Sequence, residues 1–338
     1  MPRTPAGKHA GGDNRRVHPI NADLHSHSNV SDGTLAPAEV AARAAARGVG
    51  LWALTDHDEL GGLDEARETA LALGMGWLAG VEVSVSYADE SVHIVGLGVD
   101  PADTALRSGL AATRAGRRER ALAMAASLAR AGIVGAFEGA LAYAGNPDLV
   151  SRTHFGRFLV ERGICADTAA VFRRYLTPGK PGYVEHRWAR LRDAVRWITG
   201  AGGVAVIAHP ARYARLTPTA EHALITEFVA HGGRGIEVVT SAHGAAERAR
   251  YADKAREFGL LASRGSDFHS PGESRVDLGA LPALPTDLTP VWQALAQRIV
   301  WPDAPVPATR RPAHPAHPAH PAHPAHPAAR SASPATLT

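Results

Sequence analysis

The chain reads as an α/β protein built on a mainly parallel framework of strands. Three observations predict this. Short apolar runs alternate with helical stretches between residues 19 and 302. Histidines and carboxylates stand at or just after the ends of several of those runs. The chain is also long enough, at 338 residues with 45% apolar and 20% charged side chains, to bury a sizeable core, which excludes disorder over its whole length.

Seven runs read as strands: Ile20–Leu24, Leu51–Thr55, Trp77–Val85, Val92–Leu97, Val204–Ala208, Gly235–Val239 and Leu260–Ala262. Among the helices between them, Pro37–Arg47 opens after Thr34 and closes at Gly48, Asp64–Leu73 closes at Gly74, and Leu191–Thr199 closes at Gly200. Only Tyr87–Ser91 separates strands three and four. That is too short for a crossover helix, so an antiparallel hairpin or a local irregularity is expected there. Asp100 to His186 holds no good strand. It reads as three helices: Leu106–Ala131 before Gly132, Ser151–Arg162 before Gly163, and Asp167–Leu176. The expected organisation is a strand-bearing body over 19–100 and 187–302, with a helical insertion over 101–186.

The flanks differ in composition. Residues 1–18 and 303–338 carry net charges of +3 and +2, which leaves −2 for residues 19–302 of the formal +3. A basic surface that coats nucleic acid is therefore not implied. The C-terminal flank repeats Ala-His-Pro, with His314, His317, His320, His323 and His326 at a period of three. Two readings stay open there: a disordered tail, or a polyproline-type row of imidazoles that collects metal weakly. The N-terminal 18 residues are expected to be disordered too. One cysteine, Cys165, excludes a disulfide framework and a thiolate metal site. With no membrane-length apolar run and no signal-peptide core, the expectation is a cytoplasmic enzyme, its chemistry resting on imidazole rather than thiol.

The chemistry sits at the strand ends. The first strand runs into Asp-Leu-His-Ser-His, so His25 and His27 share the i, i+2 spacing that points two side chains to one face of an extended chain. Asp32 follows in Ser-Asp-Gly. The second strand ends in Asp56-His57-Asp58, and the third carries Glu82 between two valines, on the face opposite them. A lone interior carboxylate is costly without a partner, and a metal ion is a common one. His93 lies on strand four, His209 follows strand five, and Asp267 and His269 end strand seven. Nine N/O donors are too many for one ion and suit three, held by borderline or hard donors: manganese, with iron or zinc as alternatives. Such clusters serve phosphoester hydrolysis, in which a bridging hydroxide attacks phosphorus. Asp23, Asp56 and Asp58 are expected to orient the ligand histidines. The run Arg114, Arg117, Arg118, Arg120 is expected to be a solvated helix face, with guidance of an RNA strand as the alternative. His186, His222, His231 and His243 have no motif context.

The motifs D-L-H-S-H-S-N-V-S-D-G, T-D-H-D, G-V-E-V-S, V-H-I-V-G, A-H-P and S-D-F-H, in this order, resemble the polymerase and histidinol phosphatase (PHP) superfamily over residues 19–285. The resemblance implies a distorted seven-stranded β/α barrel with a trinuclear metal centre. By position it assigns His25, His27, Glu82 and Asp267 to a first ion, Glu82, His93 and His209 to a second, and Asp32, His57 and His269 to a third, with the attacking hydroxide held between ions and no separate general acid. The insertion, with S-R-T-H-F and Y-L-T-P-G-K-P-G-Y-V, is similar to the branch of 3′,5′-nucleoside bisphosphate phosphatases and 5′-to-3′ exoribonucleases. That likeness implies Arg152, His154 and Lys180 as contacts to the non-reacting phosphate of a small nucleotide or short RNA. No duplex DNA or membrane partner and a monomeric state are expected. A histidinol phosphate or other small-monoester phosphatase, and a non-catalytic metal-bound accessory domain, remain the alternatives.

Overall fold

The computed structural model describes residues 20–302, so both flanks and the Ala-His-Pro repeat lie outside the described residues. Seven strands form one sheet in sequence order: β1 (Ala22–Asp23), β2 (Leu51–Leu54), β3 (Gly76–Tyr87), β4 (Glu90–Leu97), β5 (Val204–Ile207), β6 (Gly235–Thr240) and β7 (Leu261–Gly265). All neighbours are parallel except β3/β4 and β4/β5, which are antiparallel. The expected hairpin is thus present, and β4 runs against every other strand. The sheet curls until its edges meet. Leu24 N–H donates to Arg264 O (3.0 Å), Asp267 N–H to His25 O (2.8 Å) and His27 N–H to Phe268 O (2.8 Å). Gly265 permits that closure, because a Cβ there would stand 2.2 Å from the Cβ of His25.

Ten α-helices occur among the described residues: α1 (Pro37–Ala46), α2 (Leu63–Ala72), α3 (Thr104–Arg130), α4 (Ala136–Leu141), α5 (Arg152–Glu161), α6 (Thr168–Val171), α7 (Leu191–Gly200), α8 (Pro218–Ala230), α9 (Ala245–Phe258) and α10 (Val291–Ala294). None of them is long and apolar enough to cross a membrane. Helix α1 starts where expected: Pro37 opens it, and Glu39 reaches back to accept from Ala36 N–H at 2.8 Å. The helix expected over Asp167–Leu176 divides into α6, capped by the Asp167 carboxylate, and a π-helical turn, Phe172–Leu176. Helices α4, α8, α9 and α10 were not singled out by the sequence reading, although Thr217-Pro218 is an ordinary start signal for α8.

Strand periodicity sorts the apolar side chains. Ala22, Leu24, Leu51, Ala53, Leu78, Val95, Leu97, Val204, Val206 and Ala208 form one buried cluster drawn from β1 to β5, the barrel interior, with Val291 and Leu295 packed into it. Val81, Val83 and Val85 point the other way, into a cluster with Leu191, Val195 and Ile198 of α7. On β3, Leu78 therefore shares its face with Glu82: the inward row is apolar at one end and ionisable at the other.

The long α3 links the two sequence regions. Its first half contributes Leu106 and Leu110 to the apolar layer outside the barrel. Its second half places Ala121, Met124 and Leu128 in a separate cluster with Phe137, Phe155, Phe158 and Leu176. The whole connection from β4 to β5, α7 included, leaves and rejoins the barrel at one end, where Asp100 N–H donates to Ala201 O at 2.9 Å. With 27 residues at 1.5 Å each, α3 spans about 40 Å and carries the chain from that end up to the strand C-termini.

Candidate metal centre

The parallel strands deliver their C-termini to one end of the barrel, and the nine expected ligands gather there. The reversal of β4 explains His93, which sits in the first half of its strand: that half lies at the mouth because β4 runs downward. Positive φ angles at His209 (27°) and Asp267 (54°) turn two more donors inward, a strained backbone of the kind found at functional sites.

Glu82 is the hub and is fully buried. Its Oε1 lies 2.9 Å from His93 Nδ1, 3.0 Å from His209 Nε2 and 3.3 Å from His25 Nε2. Its Oε2 lies 2.9 Å from His57 Nδ1 and 3.3 Å from His27 Nε2. Asp267 Oδ1 stands 3.2 Å from His27 Nε2 and 3.5 Å from His25 Nε2. Asp32 Oδ1 stands 3.3 Å from His269 Nε2 and 3.8 Å from His57 Nε2. Donors about 2.1 Å from a shared ion would stand about 3.0–3.4 Å apart. Most of these separations fall in or near that range.

The donors fit metal ions on a second ground. His25 Nε2, His27 Nδ1, Asp32 Oδ1, His57 Nδ1, Glu82 Oε2 and His209 Nδ1 are all buried without a hydrogen-bond partner among the described residues, while Asp267 Oδ2 pairs with Arg212. His57 Nδ1 and Glu82 Oε2 are close but misaligned for a hydrogen bond. Three compact groups result: His25, His27, Glu82 and Asp267; His27, Asp32, His57 and His269; and His57, Glu82 and His93. The first reproduces the set implied for the first ion. The second adds His27 to the set for the third. His209 touches Glu82 but falls outside these groups, its place beside Glu82 and His93 being taken by His57.

Electrostatics follow from packing acids against imidazoles. Burial raises the Glu82 carboxyl, but His57, His93 and His25 overcome it and hold the group well below the carboxylate range. Burial lowers His57, and Glu82 with Asp32 reverse this to about 9. His27 is pushed down to about 3 by burial and by the neighbouring His269 and His57.

The surrounding residues correct several expectations. Asp23, Asp56 and Asp58 do not touch the ligand histidines. Asp23 accepts from Ser266 and Gly279 N–H, both at 2.8 Å. Asp56 accepts from Ser28 N–H, Ser28 Oγ and Ser31 Oγ, fixing the loop that carries Asp32, and burial pushes it up to about 6. Asp58 accepts from Ser84 N–H and Oγ and pairs with Arg117. The orienting acid is Glu237, which the sequence reading missed. Its Oε1 contacts His25 Nδ1 at 2.8 Å and its Oε2 accepts from His209 N–H at 2.6 Å. The signal was present, since Glu237 lies mid-strand among apolar residues just as Glu82 does.

Apart from the exposed Arg118, the arginine run is not a solvated face. Arg117 is buried, with its guanidinium 4.6 Å from the Trp188 ring centre. Arg114 donates to Asp58 O. Arg120 donates to Val184 O and, with Arg117, Arg152 and Trp188, lines a cavity of about 170 Å³ above the donor cluster. Burial and the nearby Arg152 and Arg117 push the Arg120 guanidinium down to about 9, and burial lowers Arg152 too. His154 is elsewhere: its side chain is fully buried, and Nδ1 accepts from Ser151 N–H at 3.0 Å as part of the helix cap. Lys180 is exposed on the loop after the π turn and is absent from the residues that line the cavity. Thr153 and Ser151, not foreseen, reach Asp32 Oδ2 at 2.9 and 3.3 Å.

A seven-stranded barrel with this imidazole–carboxylate mouth defines a metal-dependent phosphoesterase fold, and comparison with known proteins agrees. Residues 23–129 match the PHP domain. The chain is 54% identical over 282 residues to a 3′,5′-nucleoside bisphosphate phosphatase of Chromobacterium violaceum, covering 83% of this chain and 99% of that protein. It is 40% identical over 271 residues to a 5′-3′ exoribonuclease of Haemophilus influenzae, covering 80% and 97%. A solved C. violaceum amidohydrolase structure with bound sulfate and no metal superposes with a TM-score of 0.81 at 54% identity, covering 84% and 98%. A candidate metal-dependent phosphoesterase from Bifidobacterium adolescentis gives 0.70 at 28% identity, covering 82% and 96%. The chain belongs to the PHP-domain family and is a hydrolase of phosphate ester bonds.

Proposed function

We propose that the chain hydrolyses the bond between phosphorus and O3′ in 3′,5′-nucleoside bisphosphates and in short 5′-phosphorylated RNA. One observation carries the reading: Arg120 and Arg152 stand in the same small cavity as the donor cluster. A site for a simple monoester needs the cluster alone. Two guanidinia beside it call for a second anion, which a bisphosphate provides. The names of the C. violaceum and H. influenzae relatives point the same way.

Divalent ions held by the nine donors, three of them and manganese by preference, would neutralise phosphoryl oxygens and make a water acidic enough to attack near neutral pH. The chain's own groups do the positioning. Arg120 and Arg152 hold the non-reacting phosphate. Arg117 is pinned by Asp58 and Ser84 and supports the Trp188 wall. Glu237 fixes the His25 ring and the His209 backbone. Tyr213 ties the β4/β5 seam, accepting from His93 N–H and donating to Ala208 O, both at 2.8 Å. A histidinol phosphate substrate fits less well, because its ammonium group would meet these arginines.

The test is phosphate release from 3′-phosphoadenosine 5′-phosphate by manganese-loaded protein, with and without a chelator. Turnover that the chelator abolishes is expected. Failure to act on both that compound and a short 5′-phosphorylated RNA would discard the substrate assignment.

A further inference from the structure

The donor cavity opens into two larger hollows that have no lining residue in common. One, of about 420 Å³, shares Arg120, Arg152 and Trp188 with it and continues along Tyr183 and His186. The other, of about 510 Å³, shares Thr153, Phe172 and Arg212 with it and continues along Thr168, Ala169, Ser241 and Arg275. At about 170 Å³ the donor cavity itself is smaller than the ~300–1,000 Å³ of ordinary ligand sites, so it suits a phosphoryl group rather than a nucleoside. A nucleoside bisphosphate would occupy the donor cavity and one hollow. The second hollow would then have no role.

We infer that the hollow lined by Thr168, Ala169, Phe172, Ser241 and Arg275 receives the nucleotide on the 3′ side of the scissile phosphate, an inference that rests on the substrate reading above. The chemistry places it there. The water oxygen bonds to phosphorus, the bond from phosphorus to O3′ breaks, and O3′ leaves with a proton as the hydroxyl of a nucleoside 5′-phosphate. In a bisphosphate the other product is inorganic phosphate. In RNA that phosphate stays esterified to O5′ of the next nucleoside, which must leave the donor cavity by an exit other than the one the first nucleoside fills.

Charge sets the direction. A terminal phosphate monoester carries about −1.5 to −2 at neutral pH, more than the single charge of a diester. The stronger cationic pair, Arg120 and Arg152, lies on the side of the first hollow. On the other side Arg157 is already paired with Glu273 at 2.7 Å and Arg212 with Asp267, leaving the exposed Arg275 for one diester. Phe172, held by the π turn at the junction of the donor cavity and the second hollow, offers a ring on which any base can stack.

The test uses full-length, manganese-loaded protein with Ala169→Trp, which fills the hollow, and Arg275→Glu, which reverses its charge. Both residues line the second hollow and not the donor cavity. For a 5′-phosphorylated ribotrinucleotide, kcat/KM is expected to fall about tenfold or more, mainly through KM. For 3′-phosphoadenosine 5′-phosphate it stays within about twofold, which also shows that the variants fold. Unchanged trinucleotide kinetics in both variants, or parallel losses on both substrates, would overturn the inference. So would a wild-type protein that cleaves the bisphosphate but not the trinucleotide. A wild-type protein inactive on both overturns the substrate reading instead.

Discussion

The barrel mouth and the helical wall facing it are built on opposite terms. At the mouth, His25, His27 and Glu82 are fully buried, and Asp32, Asp267 and His209 nearly so. Each is borne by a strand or the turn just after one, and most touch two or more of the others. In the wall, Arg120 and Arg152 are half-buried and sit on helices α3 and α5, braced by a carbonyl and by aromatic rings. Donors that share an ion tolerate little displacement, so they belong on the rigid sheet. Groups that select a remote phosphate can be carried by packed helices. On the function proposed above, the contrast makes reaction and selectivity separable.

That separation can be broken from either side. The largest effect is expected at the hub: Glu82→Gln should lower turnover of every substrate by at least about 10²-fold, with metal content falling in parallel by elemental analysis. Retained metal and activity would remove Glu82 from the centre. Glu237→Gln touches no substrate, yet should cost roughly 10–100-fold in metal affinity or activity, because the His25 ring and His209 backbone lose their anchor. Arg152→Ala should act on one side only. We expect kcat/KM for the bisphosphate to drop roughly 10–100-fold, the scale of a lost charged hydrogen bond, while p-nitrophenyl phosphate, with no second phosphate, is unaffected. Equal losses on both would merge the two regions into one.

The smallest effect on activity belongs to His154→Gln, which should stay within about twofold of wild type, since glutamine can still accept from Ser151 N–H in the helix cap. Its signature lies in stability. Burial holds His154 down at about 4, below the 6.5 of the free side chain. The unfolded chain therefore takes up a proton first. The stability that wild type has above pH 6.5 is lost as pH falls towards 4, by up to roughly 3 kcal/mol. Urea midpoints at pH 7 and pH 4.5 should differ less in the variant. An unchanged difference would show that His154 does not contribute to the acid sensitivity.

Much of this was legible in the residues. Period-two alternation placed Glu82 inside the barrel, and the five-residue gap at Tyr87–Ser91 foretold the hairpin. What stayed hidden were partnerships across large sequence distance. His25 and Glu237 are 212 residues apart, and nothing local shows which acid faces which imidazole. The same limit made Asp23, Asp56 and Asp58 look like orienters of histidine, when they hold backbone amides and, for Asp58, an arginine. Arg117 looked solvated because its helix is rich in arginine, but one face of that helix is pressed against Trp188. His154 sat in a suggestive motif, yet the motif is a cap.

The paired ends of the connection from β4 to β5, where Asp100 meets Ala201, have an evolutionary corollary. Because the segment departs and returns at neighbouring points, it can be lengthened, trimmed or traded for another without re-threading the sheet. A lineage could thus acquire a new specificity by swapping a single cassette, provided the contacts that Ser151 and Thr153 make to Asp32 are kept.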